Sequence, residues 1–219
     1  MVFLRTSLTT DDQPMIRGHG VTLRAPAVTD YGAWADLRAK SRDHLVPWEP
    51  QWERDELDRA TYRRRLKLYA QEARDDQGYA FFILAAPRPL QPVKPGAHNG
   101  ARHPRPPGSA DDVLVGGLRL SNVRRGVNQA ATVGYWLGAP HVARGLMTAA
   151  VAAVIPFCFD RLMLHRLEAA CLPDNVRSRR VLERNGFEME GVARRYIKIN
   201  GVWQDHILYA MVAGDERQA

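Results

Sequence analysis

At 219 residues the chain is long enough for one domain with a substantial core, and its 45% hydrophobic and 25% charged content is ordinary for a globular protein. No run approaches the ~20 apolar residues of a membrane span, and two cysteines, Cys158 and Cys171, are too few for a disulfide framework and lack metal-ligand spacing, which fits a reducing cytoplasm. The net charge of +7 fits an RNA-rich neighbourhood or an anionic cofactor, and fits equally an arginine-rich composition spread along the chain; no zinc-finger, recognition-helix or aromatic RNA-binding signature accompanies it.

Residues 1–18 are expected to be poorly ordered and make a poor signal peptide, and residues 19–213 are expected to form a single domain ahead of a short tail. A first strand is expected near Val21–Arg24. Thr29-Asp30 is a good N-cap pair for a helix running to about His44, and Leu45-Val46-Pro47-Trp48-Glu49-Pro50 breaks that helix. A charged helix follows from about Glu56 to Asp75, then strands at Tyr79–Ala85 and Val113–Leu120. Between those strands the segment Pro87 to Asp112 is rich in Pro, Gly, Arg and His and cannot form a core, so it reads as a disordered hairpin insertion (residues 86–112). Beyond it the pattern predicts a strand at Ala130–Leu137, a helix at Arg144–Asp160, a strand at His165–Leu172 and a helix at Asn175–Asn185. Phe187–Ile199 and Gly201–Val212 then form an antiparallel pair turned by Asn200-Gly201. Pro156 should kink or shorten its helix.

Chemistry concentrates between Thr132 and Gly191. The apolar run Thr132-Val133-Gly134-Tyr135-Trp136-Leu137 leads through Gly138 and Pro140 to Arg144-Gly145-Leu146-Met147 at the start of a helix. A strand-to-helix glycine turn presents free backbone N–H groups and the positive end of the helix dipole to an anion. A second strand–helix unit, Arg166 to Leu172 and then Pro173-Asp174-Asn175-Val176-Arg177-Ser178, lies beside it in sequence. Together the two outline a cleft for a phosphorylated cofactor.

The element order and this central region resemble the GNAT superfamily of acetyl-CoA-dependent N-acyltransferases, over roughly Val21 to Val212 without the Pro-rich insertion. Four segments resemble more narrowly its RimJ/RimL branch, the ribosomal-protein alanine N-acetyltransferases: Arg42 to Pro50, Val133-Gly134-Tyr135-Trp136, Asn175 to Gly191, and Gly201 to His206; the first and last are the most RimJ-like. The resemblance implies an α/β fold, with a mixed, mostly antiparallel twisted sheet of about seven strands and helices on both faces. It implies acetyl-CoA as cosubstrate, no metal, and direct attack of a neutral amine on the thioester in a ternary complex.

By the same resemblance Trp136, Leu137, Val142 to Thr148 (with Ala143, Arg144, Gly145, Leu146 and Met147 between), Asn175 and Arg180 hold the cofactor. Ser178 assists the leaving thiol, and Trp48, Tyr135, Tyr196 and Trp203 surround the acceptor. The family's phosphate loop, Gln/Arg-x-x-Gly-x-Gly/Ala, is degenerate here. Val142 replaces the first side-chain donor and Met147 the last small residue, which leaves the binding to backbone amides. Thr132 stands where many relatives carry Glu, and Ile197 where the branch carries another acid. Glu49, Asp205 and Glu168 remain as candidate bases, each equally explicable as an ion-pair partner. The acceptor expected from the branch is the N-terminus of a protein, in particular a ribosomal or ribosome-associated one. Its α-amine ionises at about 7.7–8.0 against roughly 10.4 for lysine and so needs little help in losing a proton. A small-molecule amine, or a catalytically weak ribosome-associated binding protein, are the alternatives, and both monomer and homodimer stay open.

Overall fold

The computed structural model describes residues 15–87 and 111–214. The expectations for the N-terminal 14 residues and for most of the Pro-rich insertion lie outside the described residues. One eight-stranded sheet runs in the order β1-β2-β3-β4-β5-β6-β8-β7. Its strands are β1 (Ile16–Gly18), β2 (Val21–Arg24), β3 (Tyr79–Ala85), β4 (Val113–Arg124), β5 (Ala130–Leu137), β6 (Arg166–Cys171), β7 (Glu188–Ile199) and β8 (Val202–Val212). The strand beyond the seven expected is β1. It falls in a stretch read as irregular because three residues are too short for a periodic signal, and its order comes from pairing with β2.

The helices are α1 (Tyr31–Lys40), α2 (Arg42–Leu45), α3 (Arg59–Arg74), α4 (Leu146–Pro156) and α5 (Val176–Arg184). They cover both faces, and the alternation of β3 shows why. Tyr79, Phe81 and Ile83 point into the large core with α4, Phe157, Leu182 and Tyr209, whereas Phe82 joins Trp34 of α1 and Tyr62 of α3 in a second cluster on the other face. Helix α4 is apolar nearly all round (Leu146, Met147, Ala150, Val151, Val154 and Ile155 are buried), as a helix packed on a sheet and flanked by other elements must be.

Several boundaries shift for local reasons. Asp30 does not cap α1 with its side chain. Its carboxylate instead accepts from Arg24 at 2.6 and 2.7 Å and from the Ala27 amide at 2.7 Å, fixing a 3-10 turn at Val28–Asp30. The first helix ends at Lys40 and the charged one begins at Arg59. Pro156 is the last residue of α4. Without its N–H the i→i−4 ladder stops, and Phe157–Arg161 forms one π turn closed by Leu162 N–H to Phe157 C=O at 2.9 Å. Helix α5 ends as its sequence demands. Gly186 (φ +80°) takes the left-handed position, the Phe187 amide bonds Leu182 C=O at 3.1 Å, and the Phe187 ring is buried. Asn200 (φ +43°) and Gly201 (φ +83°) make the tight turn between β7 and β8.

Candidate active site

The site begins at the sheet's one parallel pair. β5 and β6 pair only through Ala130–Thr132 with Arg166–Glu168; β5 then runs on to Leu137 and β6 to Cys171 without further partners in each other. The strands part, and the edge of β5 from Val133 onward faces a gap. Backbone N–H and C=O groups on such an edge are matched by an extended chain carrying amides.

At the end of β5 the chain turns through Gly138, a 3-10 turn (Ala139–His141) and an extended Val142 into α4. Ala143 (φ +59°) and Gly145 (φ +73°) are both left-handed, which bends the chain sharply from the extended Val142 into α4. The first helical bond runs from the Ala149 amide to Gly145 C=O at 3.0 Å, so the amides of Leu146, Met147 and Thr148 precede it and are free for an anion. A Cβ on Gly145 would meet nothing within 4 Å, so the glycine is required by its φ rather than by crowding. Met147 sits in the helix with its side chain buried in the core, and a longer residue than Gly or Ala costs nothing there. The Arg144 guanidinium donates to Ala86 C=O at 2.9 Å and lies 3.4 Å from the His141 ring, tying this loop to the end of β3. Burial, and then the Arg144 charge, hold the His141 pKa below the ordinary imidazole value. The backbone cradle and the open β5 edge fit the pyrophosphate and amide-bearing arm of acetyl-CoA, which supplies the acetyl thioester.

Across the gap, Asn175 caps α5: its Oδ1 accepts from the Ser178 amide at 3.1 Å. The Ser178 hydroxyl is 3.0 Å from the Tyr135 hydroxyl of β5, so a side-chain bridge spans the two walls where the strands separate. Tyr135, expected at the acceptor, thus faces α5. Its neighbour Trp136 faces the other way, into the cluster of α1 and α3. Arg180 lies exposed on α5, one turn from the cap.

On that second face a cavity of about 460 Å³ opens against Gly134, Tyr135 and Trp136 of β5. The Trp136 indole lies on Gly117, where a Cβ would come within 2.5 Å of its Nε1. Arg38, buried in the last turns of α1, places its guanidinium 4.3 Å from the Trp52 ring centre and 5.0 Å from that of Trp136. Its fork is held by Glu49 at 2.7 and 2.8 Å, and Glu49 also accepts from Trp52 Nε1 at 2.8 Å. Glu56 pairs with Arg65 at 2.8 Å and lies 3.6 Å from Arg38. The two carboxylates lining the cavity, among the described residues, are therefore both engaged by arginine.

The other candidate carboxylates are not brought to this point. Glu168 pairs with Arg124 at 2.6 Å and Arg166 at 3.0 Å at the root of the parallel pair. The Oδ1 of Asp205 accepts from the Arg195 amide at 2.8 Å, holding the bulge between Ala193 and Ile197. Trp48, Tyr196 and Trp203 are exposed. The tip of the β7–β8 hairpin nevertheless reaches the Trp48–Trp52 connector, with the Asn200 amide bonded to Glu49 C=O at 2.9 Å, so the two RimJ-like segments meet. Sequence reasoning missed Arg38, Trp52, Glu56, Arg65, Tyr69 and Arg119 of the cavity lining. One signal was present: Arg38 lies four residues after Trp34 and next to Leu37 on the stripe that α1 buries.

A mixed sheet parted at the one parallel pair among its described strands, with a helix N-terminus beside the gap and a cavity on the opposite face, is the architecture of an acyl-CoA-dependent N-acyltransferase. The acetyltransferase (GNAT) domain model matches residues 21–188, and the chain belongs to that family. It is an acetyl-CoA-dependent N-acetyltransferase. It is 33% identical over 204 residues to the probable N-acetyltransferase YjcK of Bacillus subtilis (strain 168), covering 93% of this chain and 100% of that one. It is 32% identical over 190 residues to the [ribosomal protein uS5]-alanine N-acetyltransferase of Escherichia coli (strain K12), covering 86% of each. Among solved structures, Mycobacterium smegmatis RimJ in complex with CoA-disulfide superposes with a TM-score of 0.75 at 30% identity, over 92% of this chain and 87% of that one. The ribosomal-protein-S5-alanine acetyltransferase from Vibrio fischeri superposes with a TM-score of 0.76 at 26% identity, over 92% and 98%.

Proposed function

We propose that the enzyme transfers the acetyl group of acetyl-CoA to the N-terminal α-amine of a protein, in particular a ribosomal protein. The observation that carries this reading is the absence of an unpaired carboxylate among the described residues of the acceptor cavity: Glu49 and Glu56 are held by Arg38 and Arg65. Such a site suits an amine that is already largely neutral. At pH 7 an α-amine is neutral some hundreds of times more often than a lysine amine. The relatives named for ribosomal-protein acetylation, matched over most of this chain, support the same substrate class.

In this reading the amides of Leu146, Met147 and Thr148 hold the pyrophosphate, and the edge of β5 holds the amide-bearing arm. Backbone N–H groups around Trp136–Leu137 stabilise the negative charge that develops on the thioester oxygen. The attacking nitrogen forms its bond to the acyl carbon, the carbon–sulfur bond breaks, and the amine proton leaves to water. Ser178 stabilises the departing sulfur; an alkyl thiolate is a good enough leaving group to need a hydrogen bond rather than a strong acid. Trp48, Tyr196 and Trp203 form an aromatic rim for the peptide beyond its first residue. Coupling CoA release to N-terminal peptides tests the assignment. Release with peptides beginning in Ala or Ser is expected; no release with any N-terminal peptide, alongside ready reaction of a small amine, sinks it.

A further inference from the structure

The Ser178 hydroxyl does not stand alone, and its surroundings bear on how well it can serve a departing sulfur. Its amide is fixed by Asn175, which sets the position of the side chain on the first turn of α5. Tyr135 approaches from the opposite wall: its hydroxyl lies 3.0 Å from Ser178 Oγ, a contact in which either oxygen can donate, and it is also placed to donate to Ser178 C=O at the longer 3.3 Å. Burial pushes the tyrosine pKa upward, so Tyr135 keeps its proton throughout the range in which the enzyme can work. A hydroxyl that receives one hydrogen bond donates a stronger one, because each bond in a chain polarises the next.

We propose that Tyr135 is a positioning residue for the acetyl transfer: its hydroxyl donates to Ser178 Oγ, aims the serine hydrogen into the gap between β5 and β6, and strengthens the bond that hydrogen makes to the sulfur of CoA. No proton changes owner in this arrangement. When the carbon–sulfur bond breaks, the electron pair goes to sulfur, and the Ser178 hydrogen bonds to the resulting thiolate. Both hydroxyl protons stay where they were. Cys171 of β6 is the other group near the serine oxygen, and burial pushes its thiol up to about 11. A protonated thiol is a weak acceptor, so a CoA thiolate competes successfully for the serine hydrogen. Among the described residues, the remaining titratable or charged groups around this pair are Tyr209 of β8 and Arg179 and Glu183 of α5; Arg179 Nε donates to Tyr209 Oη at 3.3 Å, and Tyr209 donates to Glu183 at 2.8 Å.

The inference rests on acetyl-CoA occupying the gap and not on the identity of the acceptor, so its test uses CoA alone. The ultraviolet absorbance of the thiolate, taken as the difference between CoA-bound and free protein, reports the titration of the bound thiol. Cys171 and Tyr135 ionise above the range of interest. In the wild type the bound thiol is expected to titrate below free CoA. Ser178→Ala should abolish that shift. Tyr135→Phe should move the midpoint upward by about half a pH unit, a roughly threefold loss of thiolate at fixed pH. The double variant should match Ser178→Ala, since the tyrosine acts through the serine. As a second probe, 3-fluorotyrosine at position 135 is a stronger donor and should move the midpoint downward. A wild-type midpoint equal to that of free CoA overturns the proposal. So does a midpoint indifferent to both changes at position 135, or a tyrosine effect that persists in full without Ser178. A failure to find a peptide acceptor leaves these outcomes unchanged, so the two readings fail separately.

Discussion

A carboxylate beside a substrate cavity is the obvious candidate for a base, yet Glu49 already accepts two bonds from Arg38 and one from Trp52. Its side chain and that of Arg38 are 19% and 6% exposed, so the pair is shielded from water, and its loss leaves the guanidinium with the longer contact to Glu56 at 3.6 Å. Glu49→Gln, which keeps one acceptor oxygen beside Arg38, is accordingly expected to cost about 1.5–3 kcal/mol of stability in chemical denaturation, the range of a hydrogen bond to a charged group. The pH dependence of kcat/KM should keep its midpoint; a pH limb that disappeared with Glu49 would make it the base instead. Ser178→Ala, by contrast, should cost no more than about 1 kcal/mol of stability, the worth of one neutral hydrogen bond. It should lower kcat by at least about tenfold, less than the roughly hundredfold or more of a full general acid, because no proton is transferred. Unchanged turnover would remove Ser178 from the mechanism. At this scale the sequence was most legible where one residue type has one backbone use. Asn175 as a cap, Gly186 as a helix stop and Asn200-Gly201 as a turn follow from their own chemistry. Arg38 was not legible, because its partners Glu49, Trp52 and Trp136 come from two other segments.

Among elements, the pairing of β4 with β5 decides the shape of the acceptor cavity. Gly116 and Gly117 lie opposite Leu137 and Trp136. A Cβ at 116 would come within 2.4 Å of the Trp136 carbonyl oxygen, and one at 117 within 2.5 Å of the Trp136 indole nitrogen. The first contact is backbone and cannot yield, whereas the second is a side chain that can swing. Gly117→Ala should therefore displace Trp136 from the cavity wall, at a cost of about 1–3 kcal/mol for overpacking. Steady-state kinetics should show a raised KM for the acceptor with little change in acetyl-CoA affinity. Equal losses for both substrates would mean that Trp136 belongs to the cofactor side. Helix α4 and the strands from β3 to β8 were visible as patterns because their apolar periods are strong. β1 was not, since three residues carry no period, nor was the π turn after Pro156, which depends on how the chain leaves a helix whose ladder has lost a donor.

For the whole molecule, the positive charge does not lie in titrating histidines near the gap. Burial and the Arg177 charge hold the His44 pKa below its ordinary value, as burial and Arg144 do for His141, so both are neutral at pH 7. Backbone amides do not titrate between pH 7 and about pH 9, so if they hold the anion as proposed, the affinity for acetyl-CoA should change little across that range. Binding to the folded state alone raises stability by about 2.7 kcal/mol at a hundredfold excess over Kd, and a thermal melt with acetyl-CoA should show a corresponding rise in Tm. The acceptor side carries the pH dependence. With no free carboxylate in the described cavity lining, kcat/KM should climb with pH as the acceptor amine loses its proton and level off near about 7.7–8.0 for an α-amine. The fold and its strand–turn–helix units could be read from the chain because strand, glycine turn and helix are local. The states of Glu49 and Glu56 were hidden because each depends on an arginine of another element, Arg38 of α1 or Arg65 of α3.

The central claim is that the acceptor is a protein α-amine. The most direct measurement is tandem mass spectrometry of peptides incubated with enzyme and acetyl-CoA, each beginning in Ala or Ser and carrying an internal lysine. Acetylation of the terminal nitrogen with the lysine left free is the result expected. Acetyl groups found on lysine, or unmodified peptides in reactions where a small polyamine is acetylated readily, would contradict it.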